Sequence, residues 1–324
     1  MSSRFKVSIA FQTDKSPAEY EALGEIVDGY EFDVVSVYND LFFQPALGAL
    51  LHLARRVRRA QLGPAALNPY TLHPIEIAGQ MAMLDLATGG RAYLGLARGS
   101  WLDAIGLTTE RPVARLKEAI EVVQYLLARR TDGFMGEIYC VDPEVSLQYI
   151  PLRSTLPIVV GTWGPQTARM AGEVADEVKI GGSANPSMVP IMRRWLATQS
   201  VGICFGAVTV VDRDRQAARA LARREVSMYL GVVAGLDPTV DDPEWLSRIR
   251  GNAARRDYAA ISRDISDEIL DRFAFAGTPE DIVRQTEQLR AAGATRVEFG
   301  TPHGIDPLHG IRLLGEEVLP RLQA

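Results

Sequence analysis

Three polar side chains follow predicted β-strands and could take part in proton transfer. Asn39 and Asp40 follow the apolar segment FDVVSV after one intervening residue, Tyr38, and His303 follows the segment ATRVEFG within TPHG. A carboxylate or an imidazole can exchange a proton near neutral pH, and an amide can hydrogen-bond a substrate. Asn and Asp more often act as helix caps or turn residues. Position alone therefore favours a structural role for Asn39 and Asp40.

A second pattern is typical of an anion site. The segment GTWGPQTARM begins at Gly161, the last residue of the apolar run PIVVG, and also contains Thr162, Trp163 and Gly164. Glycines let the backbone approach a ligand closely, and a helix N-terminus offers free N–H groups to a phosphate. A phosphate cradle and a plain strand-to-helix turn with Pro165 at the first helical position fit this pattern equally well.

Prolines interrupt the segment GPAALNPYTLHP. The Gly63–Pro64 pair inside a strand pattern predicts a bulge, and Asn68–Pro69 is typical of a turn. A proline-rich loop without chemistry is the alternative.

Composition limits the class of protein. The 324 residues are 47% hydrophobic and 23% charged, with a formal net charge of -5. These values are typical of a globular chain with a large core and exclude a disordered, collagen-like or coiled-coil protein. The acidic balance argues against nucleic acid and anionic membranes as partners, and no segment approaches the roughly 20 apolar residues of a membrane helix.

Cysteines and histidines bear on location and metal binding. Cys140 and Cys204 lie far apart and do not form a disulfide framework, and the four histidines lack zinc spacing. The N-terminal segment lacks an apolar stretch of signal-peptide length. We therefore expect a cytoplasmic, soluble protein without a metal site.

Short β-branched segments alternate with longer amphipathic ones along the chain. Strands are predicted over 5–11, 32–37, 60–67, 91–97, 157–161, 177–181, 203–211 and 294–300. Helices are predicted over 17–30, 45–57, 74–87, 112–130, 166–174, 187–199, 214–230, 243–270, 279–292 and 306–322, with a hairpin near Tyr139 and Leu147. Eight strand–helix units predict a TIM (β/α)8 barrel. A doubly wound sheet would give the same alternation, but no G-x-G-x-x-G follows the first strand.

The barrel prediction determines where a site should lie. We expect one domain over 1–324, with a helical insertion around 231–275 that is too long for a single barrel connection. Active sites of TIM barrels lie at the C-terminal ends of the strands. The loops that should meet there are 12–14, 38–44, 67–73, 98–103, 161–166, 181–185 and 300–304.

Four segments together resemble the bacterial luciferase-like superfamily. They are GPAALNPYTLHP, LDLATGGRAYLGLARGSW, GTWGPQTARMAGEVADEV and FGTPHGIDPLHGIRLLGEEVLP, in family order over nearly the whole chain. Within the superfamily the chain resembles methylenetetrahydromethanopterin reductase and its bacterial relatives, which use the deazaflavin coenzyme F420.

The resemblance implies a homodimeric TIM barrel with a flavin or deazaflavin across its mouth. The phosphate tail would lie on Thr162, Trp163 and Gly164. A non-proline cis peptide, which several members carry behind the ring, would fall on Ala65–Ala66. The residues expected to contact the cofactor are Ala65, Ala66, Leu67, Asn68, Arg98, Gly161, Thr162, Trp163, Gly164, Gly181 and Gly182.

Two departures from the family pattern bear on activity. Deazaflavin members often carry Asp-His after the second strand, where this chain has Asn39–Asp40, and a glutamate of some sugar-phosphate dehydrogenase members falls on Ser100. These differences argue against sugar-phosphate oxidation and leave the proton donor open, with Asp40 first and His303 next.

The leading hypothesis is an F420-dependent oxidoreductase that moves a hydride between C5 of the deazaflavin and an organic substrate. Asp40 would transfer a proton or bind the substrate, and Asn39 would hydrogen-bond the ring. One alternative is an FMN-dependent monooxygenase that receives reduced flavin from a partner reductase. Another is a catalytically silent flavin-binding protein, against which the intact mouth loops weigh.

Overall fold

The computed structural model describes residues 4–323, which form a nearly closed barrel of parallel strands surrounded by helices. The strands are β1 (Lys6–Phe11), β2 (Val34–Val37), β3 (Gln61–Pro64), β4 (Leu94–Ala97), β5 (Phe134–Met135), β6 (Cys140–Val141), β7 (Ile158–Gly161), β8 (Glu177–Gly181), β9 (Gly202–Val211), β10 (Ala274–Gly277) and β11 (Arg296–His303). Eight of them pair in parallel in the order β3-β2-β1-β11-β9-β8-β7-β4. Backbone bridges Leu62–Ala92 and Leu67–Leu96 then link the two ends.

Helices follow the barrel strands and cover their outer faces. They are α1 (Pro17–Asp28), α2 (Ala46–Ala54), α3 (Pro74–Thr88), α4 (Pro112–Leu127), α5 (Pro165–Val174), α6 (Met188–Leu196), α7 (Arg215–Val233), α8 (Pro243–Ala254), α9 (Tyr258–Arg263), α10 (Asp267–Phe273), α11 (Pro279–Ala292), α12 (Pro307–Leu313) and α13 (Leu319–Gln323). A π-helical turn, Leu314–Val318, joins the last two. Within residues 4–323, no helix combines the length and hydropathy needed to cross a membrane.

Local signals in the sequence explain where helices begin and end. Ser16 and Glu19 form a capping box at the start of α1, and Gly89 ends α3 in the left-handed conformation with φ 62°. Both features follow from the local sequence, because side-chain caps satisfy free N–H groups and glycine adopts positive φ without a steric penalty. The predicted TIM barrel and its eight strands are confirmed.

Three local predictions need correction. The hairpin consists of β5 and β6, so it ends near Val141 and does not reach Leu147. The predicted helix 243–270 is divided into α8, α9 and α10, because Asp257 and Ser266 each cap a new helix start. The short strand β10 was not predicted; it pairs with the last four residues of β9, which lie past the point where β8 ends. The predicted domain limits include residues 1–3 and 324, which lie outside the described part.

Candidate active site

Side chains that meet inside the barrel identify its interior face. Lys179 on β8 pairs with Glu298 on β11, although β9 lies between these strands, and Ser36 on β2 reaches the same carboxylate. Alternate residues of a strand point to the same side. Residues two positions further along, such as Tyr38 and Gly300, therefore face the barrel interior at its C-terminal mouth.

Small residues form much of this upper layer of the interior. Five of the strands contribute Tyr38, Ala97, Gly161, Gly181 and Gly300 to it, and among these five only the tyrosine is bulky. A Cβ added to Gly181 would meet no atom within 4 Å, whereas one added to Gly300 would overlap the Tyr38 hydroxyl. The mouth is therefore an open bowl in which Tyr38 occupies the space above Gly300.

A buried polar network lies below this layer. Ser36 Oγ donates to Glu298 Oε2 at 2.5 Å, and the Tyr93 hydroxyl donates to Ser36 Oγ at 2.8 Å. Burial raises the pKa of Glu298, but the charges of Lys179 and Arg296 outweigh this effect and hold the pKa below its ordinary value. Glu298 is therefore an ionised, fully paired carboxylate, as a buried charge requires.

Sequence reasoning missed this network as part of the site. Lys179 and Glu298 lie 119 positions apart in the chain, each between apolar neighbours in a predicted strand, EVKIG and RVEFG. A charged residue inside an apolar strand pattern was the available signal. This signal predicted that each charge is buried beside a group of opposite charge, but it did not identify that group.

The two predicted polar residues after β2 have different surroundings. Asp40 is half-buried, and its Oδ2 accepts a 2.9 Å hydrogen bond from Gln12 Nε2, which joins the loops after β1 and β2. Asn39 Oδ1 accepts a 2.9 Å hydrogen bond from the N–H of Ala46, the first residue of α2. Asn39 thus has the capping role that was the structural alternative, while Asp40 remains available at the mouth.

The third predicted residue, His303, is enclosed in the barrel wall, contrary to the expectation of an acid or base at the mouth. Only 2% of its surface is exposed, its Nε2 lies 3.1 Å from the carbonyl oxygen of Ala10, and its ring packs edge-on against Phe11 at 5.4 Å. Burial lowers the pKa of His303 to about 4. A neutral, hydrogen-bonded imidazole in this position supports the wall and does not exchange protons at the mouth.

The loop after β7 has the features predicted for an anion cradle. Trp163 Nε1 donates to the carbonyl of Gly181 at 2.8 Å, and the Gly164 N–H donates to Thr162 Oγ1 at 3.0 Å. Gly164 precedes α5 without a side-chain cap, and the N–H groups of Gln166 and Thr167 have no acceptor within the described chain. A Cβ at Gly164 would meet nothing within 4 Å. Space and free donors therefore coincide here.

The peptide bond between Ala65 and Ala66 is cis, which confirms the prediction made for this strand end. Both alanines are half-buried and carry only methyl side chains, so this strand end offers a surface without bulky groups, the alanine wall. Leu67 is buried, and its N–H donates to the carbonyl of Gly95, so it lies behind the alanine wall.

The other predicted contact residues differ in accessibility. Asn68 is buried, and its Oδ1 accepts hydrogen bonds from the N–H groups of Tyr70 and Thr71, so it shapes the loop. Arg98 is exposed near Tyr70. Gly182, at φ 76°, donates its N–H to the carbonyl of Gly206 at 2.6 Å, which shapes the loop after β8.

Comparison with known proteins assigns the chain to a family. The sequence profile of the family described as luciferase-like monooxygenase matches residues 4–296. The chain belongs to this family. The 5,10-methylenetetrahydromethanopterin reductase of Archaeoglobus fulgidus is 29% identical over 98% of this chain and 100% of the relative. An F420-dependent glucose-6-phosphate dehydrogenase of Amycolatopsis mediterranei is 25% identical over 86% of this chain and 84% of the relative.

A solved structure shows the same fold over the full length. The F420-dependent tetrahydromethanopterin reductase of Methanopyrus kandleri superimposes with a TM-score of 0.87 at 23% identity, covering 99% of this chain and 100% of that one. The predicted superfamily, the resemblance to the reductase branch and the prediction of an oxidoreductase are confirmed. Among residues 4–323, no three His, Cys, Asp or Glu side chains converge to hold a metal ion.

Proposed function

We propose that the protein is an F420-dependent oxidoreductase that transfers a hydride between the deazaflavin and a small organic substrate. The observation that carries the proposal is the combination, at one mouth, of the alanine wall at Ala65 and Ala66, which lacks bulky groups, and an uncapped helix start at Gly164. A planar ring fits the first feature, and an anionic tail fits the second. The small upper layer leaves room for the ring between them.

Each part of the mouth has a task in this proposal. The N–H groups of Gln166 and Thr167 would bind phosphate oxygens of the tail, and Trp163 would hold the cradle against Gly181. When bound, the deazaflavin supplies hydride transfer at its C5 carbon. The chain orients the two reactants and limits the access of water.

Asp40 is the residue that we assign to the proton or to the polar part of the substrate. Its carboxylate is half-buried at the mouth, and the hydrogen bond from Gln12 holds one oxygen while the other remains free to contact a ligand. Asn39 is assigned to the ring only through its amide nitrogen, because its oxygen caps α2.

The relatives favour F420 over FMN. The similar reductase and dehydrogenase sequences include enzymes described as F420-dependent, whereas the similar monooxygenase and FMN-bound structures share at most 22% identity and indicate the fold alone. Ser100 replaces the glutamate expected of sugar-phosphate dehydrogenases, so we propose a different substrate. A separate reductase would regenerate the cofactor.

A binding titration tests the proposal. The purified chain is titrated with F420 and, separately, with FMN, and the quenching of ligand fluorescence is followed. We expect saturable F420 binding with at least tenfold weaker FMN binding, which corresponds to about 1.4 kcal/mol. FMN binding without F420 binding would support the monooxygenase alternative. F420 binding without turnover across alcohols, carbonyl compounds and imines would support the silent binding protein.

We also propose that two copies associate through α3. Leu86 and Met83 on this helix are 70% and 56% exposed, and Ile150, on the loop packed against it, is 80% exposed. Apolar side chains grouped on one face are typical of a surface that another chain covers. Sedimentation velocity should show a dimer that Leu86→Asp disrupts, whereas Met228→Asp, at an exposed site on α7, should not.

A further inference from the structure

Tyr38 brings a large side chain into the upper layer, and its hydroxyl is free. The residue is half-buried, and within residues 4–323 the hydroxyl has no hydrogen-bond partner. The hydroxyl oxygen is not sealed from solvent. The mouth therefore contains a phenol hydroxyl that is accessible from above and is not used by the fold.

The surroundings of Tyr38 determine where this hydroxyl lies. Gly300 has no side chain at the position that the hydroxyl occupies, so glycine is required there. Tyr38 is also beside the alanine wall, because the Ala65 N–H donates to the carbonyl of Val37 at 2.8 Å. A ring against Ala65–Ala66 would thus have the Tyr38 hydroxyl within the same bowl.

Lys179 supports the Tyr38 ring from below. Its Nζ lies 5.2 Å from the centre of the ring, within the range of a cation–π contact. Glu298 pairs with the same ammonium group and is itself fixed by Ser36. Gly206 leaves room for the Lys179 side chain, because an added Cβ would lie 2.9 Å from Lys179 Cε. The lysine is therefore held in one place beneath the tyrosine.

We propose that the Tyr38 hydroxyl donates a hydrogen bond to a carbonyl oxygen or ring nitrogen on the polar edge of the bound cofactor, and that Lys179 and Glu298 are positioning residues for Tyr38. The inference rests on the proposed function, since it requires a flavin-like ring at this mouth. Burial, followed by the charges of Glu298 and Asp40, raises the pKa of Tyr38 well above its ordinary value. The hydroxyl consequently keeps its proton and acts as a donor.

The first experiment compares Tyr38→Phe with Tyr125→Phe, which removes a tyrosine hydroxyl from α4 far from the mouth. The measured quantities are the Kd for F420 and the absorbance maximum of bound F420. We expect Tyr38→Phe to raise the Kd about threefold to tenfold, as for one neutral hydrogen bond, and to shift the absorbance maximum. Tyr125→Phe should change neither. Unchanged affinity and spectrum in Tyr38→Phe would overturn the inference while leaving F420 binding intact.

A second measurement does not depend on turnover or on the spectrum. Hydroxyl radicals oxidise accessible tyrosine rings whatever the protonation state of the phenol, and the modified positions are mapped by mass spectrometry with and without F420. We expect oxidation of Tyr38 in the free protein and protection when F420 is bound. Oxidation that F420 does not reduce would contradict the contact. Failure of the wild-type chain to bind F420 or FMN would overturn the proposed function itself.

The positioning role is tested with Lys179. Lys179→Met leaves the buried Glu298 with only one of its two cationic partners, Arg296, so it is compared with the double variant Lys179→Met/Glu298→Gln, which removes both charges of the pair. We expect the folded double variant to shift the absorbance maximum of bound F420 in the same direction as Tyr38→Phe. A spectrum identical to that of the wild-type protein would exclude a positioning role.

Discussion

Trp163 and Gly181 connect two loops of the mouth that belong to different barrel strands. The indole Nε1 donates to the Gly181 carbonyl at 2.8 Å, so the loop after β7 is fixed to the end of β8. The free N–H groups at the start of α5 thereby keep a constant position relative to the open space at Gly181. Preorganisation of this kind lowers the entropy cost of ligand binding.

Trp163→Phe removes this hydrogen bond and keeps an aromatic ring. We expect the Kd for F420 to rise about threefold to tenfold, because one hydrogen bond contributes about 0.5–1.5 kcal/mol. Trp195→Phe, on α6, is the matched control and should leave the Kd unchanged. Equal F420 affinity in the Trp163 variant and the wild-type protein would show that the link between the loops is not needed for binding.

Gly164→Asp places a carboxylate at the cap position of α5, where the backbone is extended and a Cβ has room. The new side chain would occupy the free N–H groups and repel an anion, so we expect F420 affinity to fall about tenfold or more. Because Asp is a favourable N-cap, the free energy of unfolding should not fall.

Gly164→Asn is the control for this substitution, since it caps the helix without adding charge. It should weaken F420 binding less than Gly164→Asp, and the difference between the two should shrink at high salt. If the aspartate variant binds F420 as tightly as the wild-type protein, the loop is a plain strand-to-helix turn.

Asp40→Asn retains the size of the side chain and removes its charge. If Asp40 transfers a proton, kcat should fall on the order of 100-fold while the Kd for F420 changes little. The measurement is the pH dependence of kcat with a substrate found by screening, alongside a Gln12→Ala variant that removes the hydrogen-bond donor to Asp40. A pH profile that is the same in Asp40→Asn and in the wild-type protein would assign the proton to another group.

His303 should make the protein less stable in mild acid. Its folded-state pKa is about 4, below the ordinary value of 6.5, so the unfolded chain binds more protons between these pH values. The free energy of unfolding should therefore rise with pH across this window, by up to about 3 kcal/mol for this residue, with no further contribution below pH 4.

Urea unfolding at several pH values measures this effect. His303→Asn is a suitable variant, because asparagine tolerates the positive φ of 77° at this position. We expect the variant to be less stable at neutral pH but to show a shallower dependence of the unfolding free energy on pH between 4 and 6.5. An equal slope in both proteins would mean that other groups determine the acid sensitivity.

The sequence by itself determined the barrel and the location of its mouth. Strand and helix segments differ in the period of their apolar residues, and capping residues such as Ser16 and Gly89 mark helix ends through contacts within a few positions. Parallel barrel strands all end at one face, so the amino-acid pattern alone assigns the loop with Gly164 and the Ala65–Ala66 strand end to the same mouth.

The tertiary structure alone decided which side chains meet at that mouth. The sequence placed Asn39, Asp40 and His303 together at strand ends. In the structure Asn39 caps α2, Asp40 faces the mouth and His303 is enclosed against Ala10. The contact of Lys179 with Glu298 likewise depends on the register of β8, β9 and β11 and on closure of the barrel. Local periodicity carries no information about register between distant strands, because that register is set by the packing of the whole barrel.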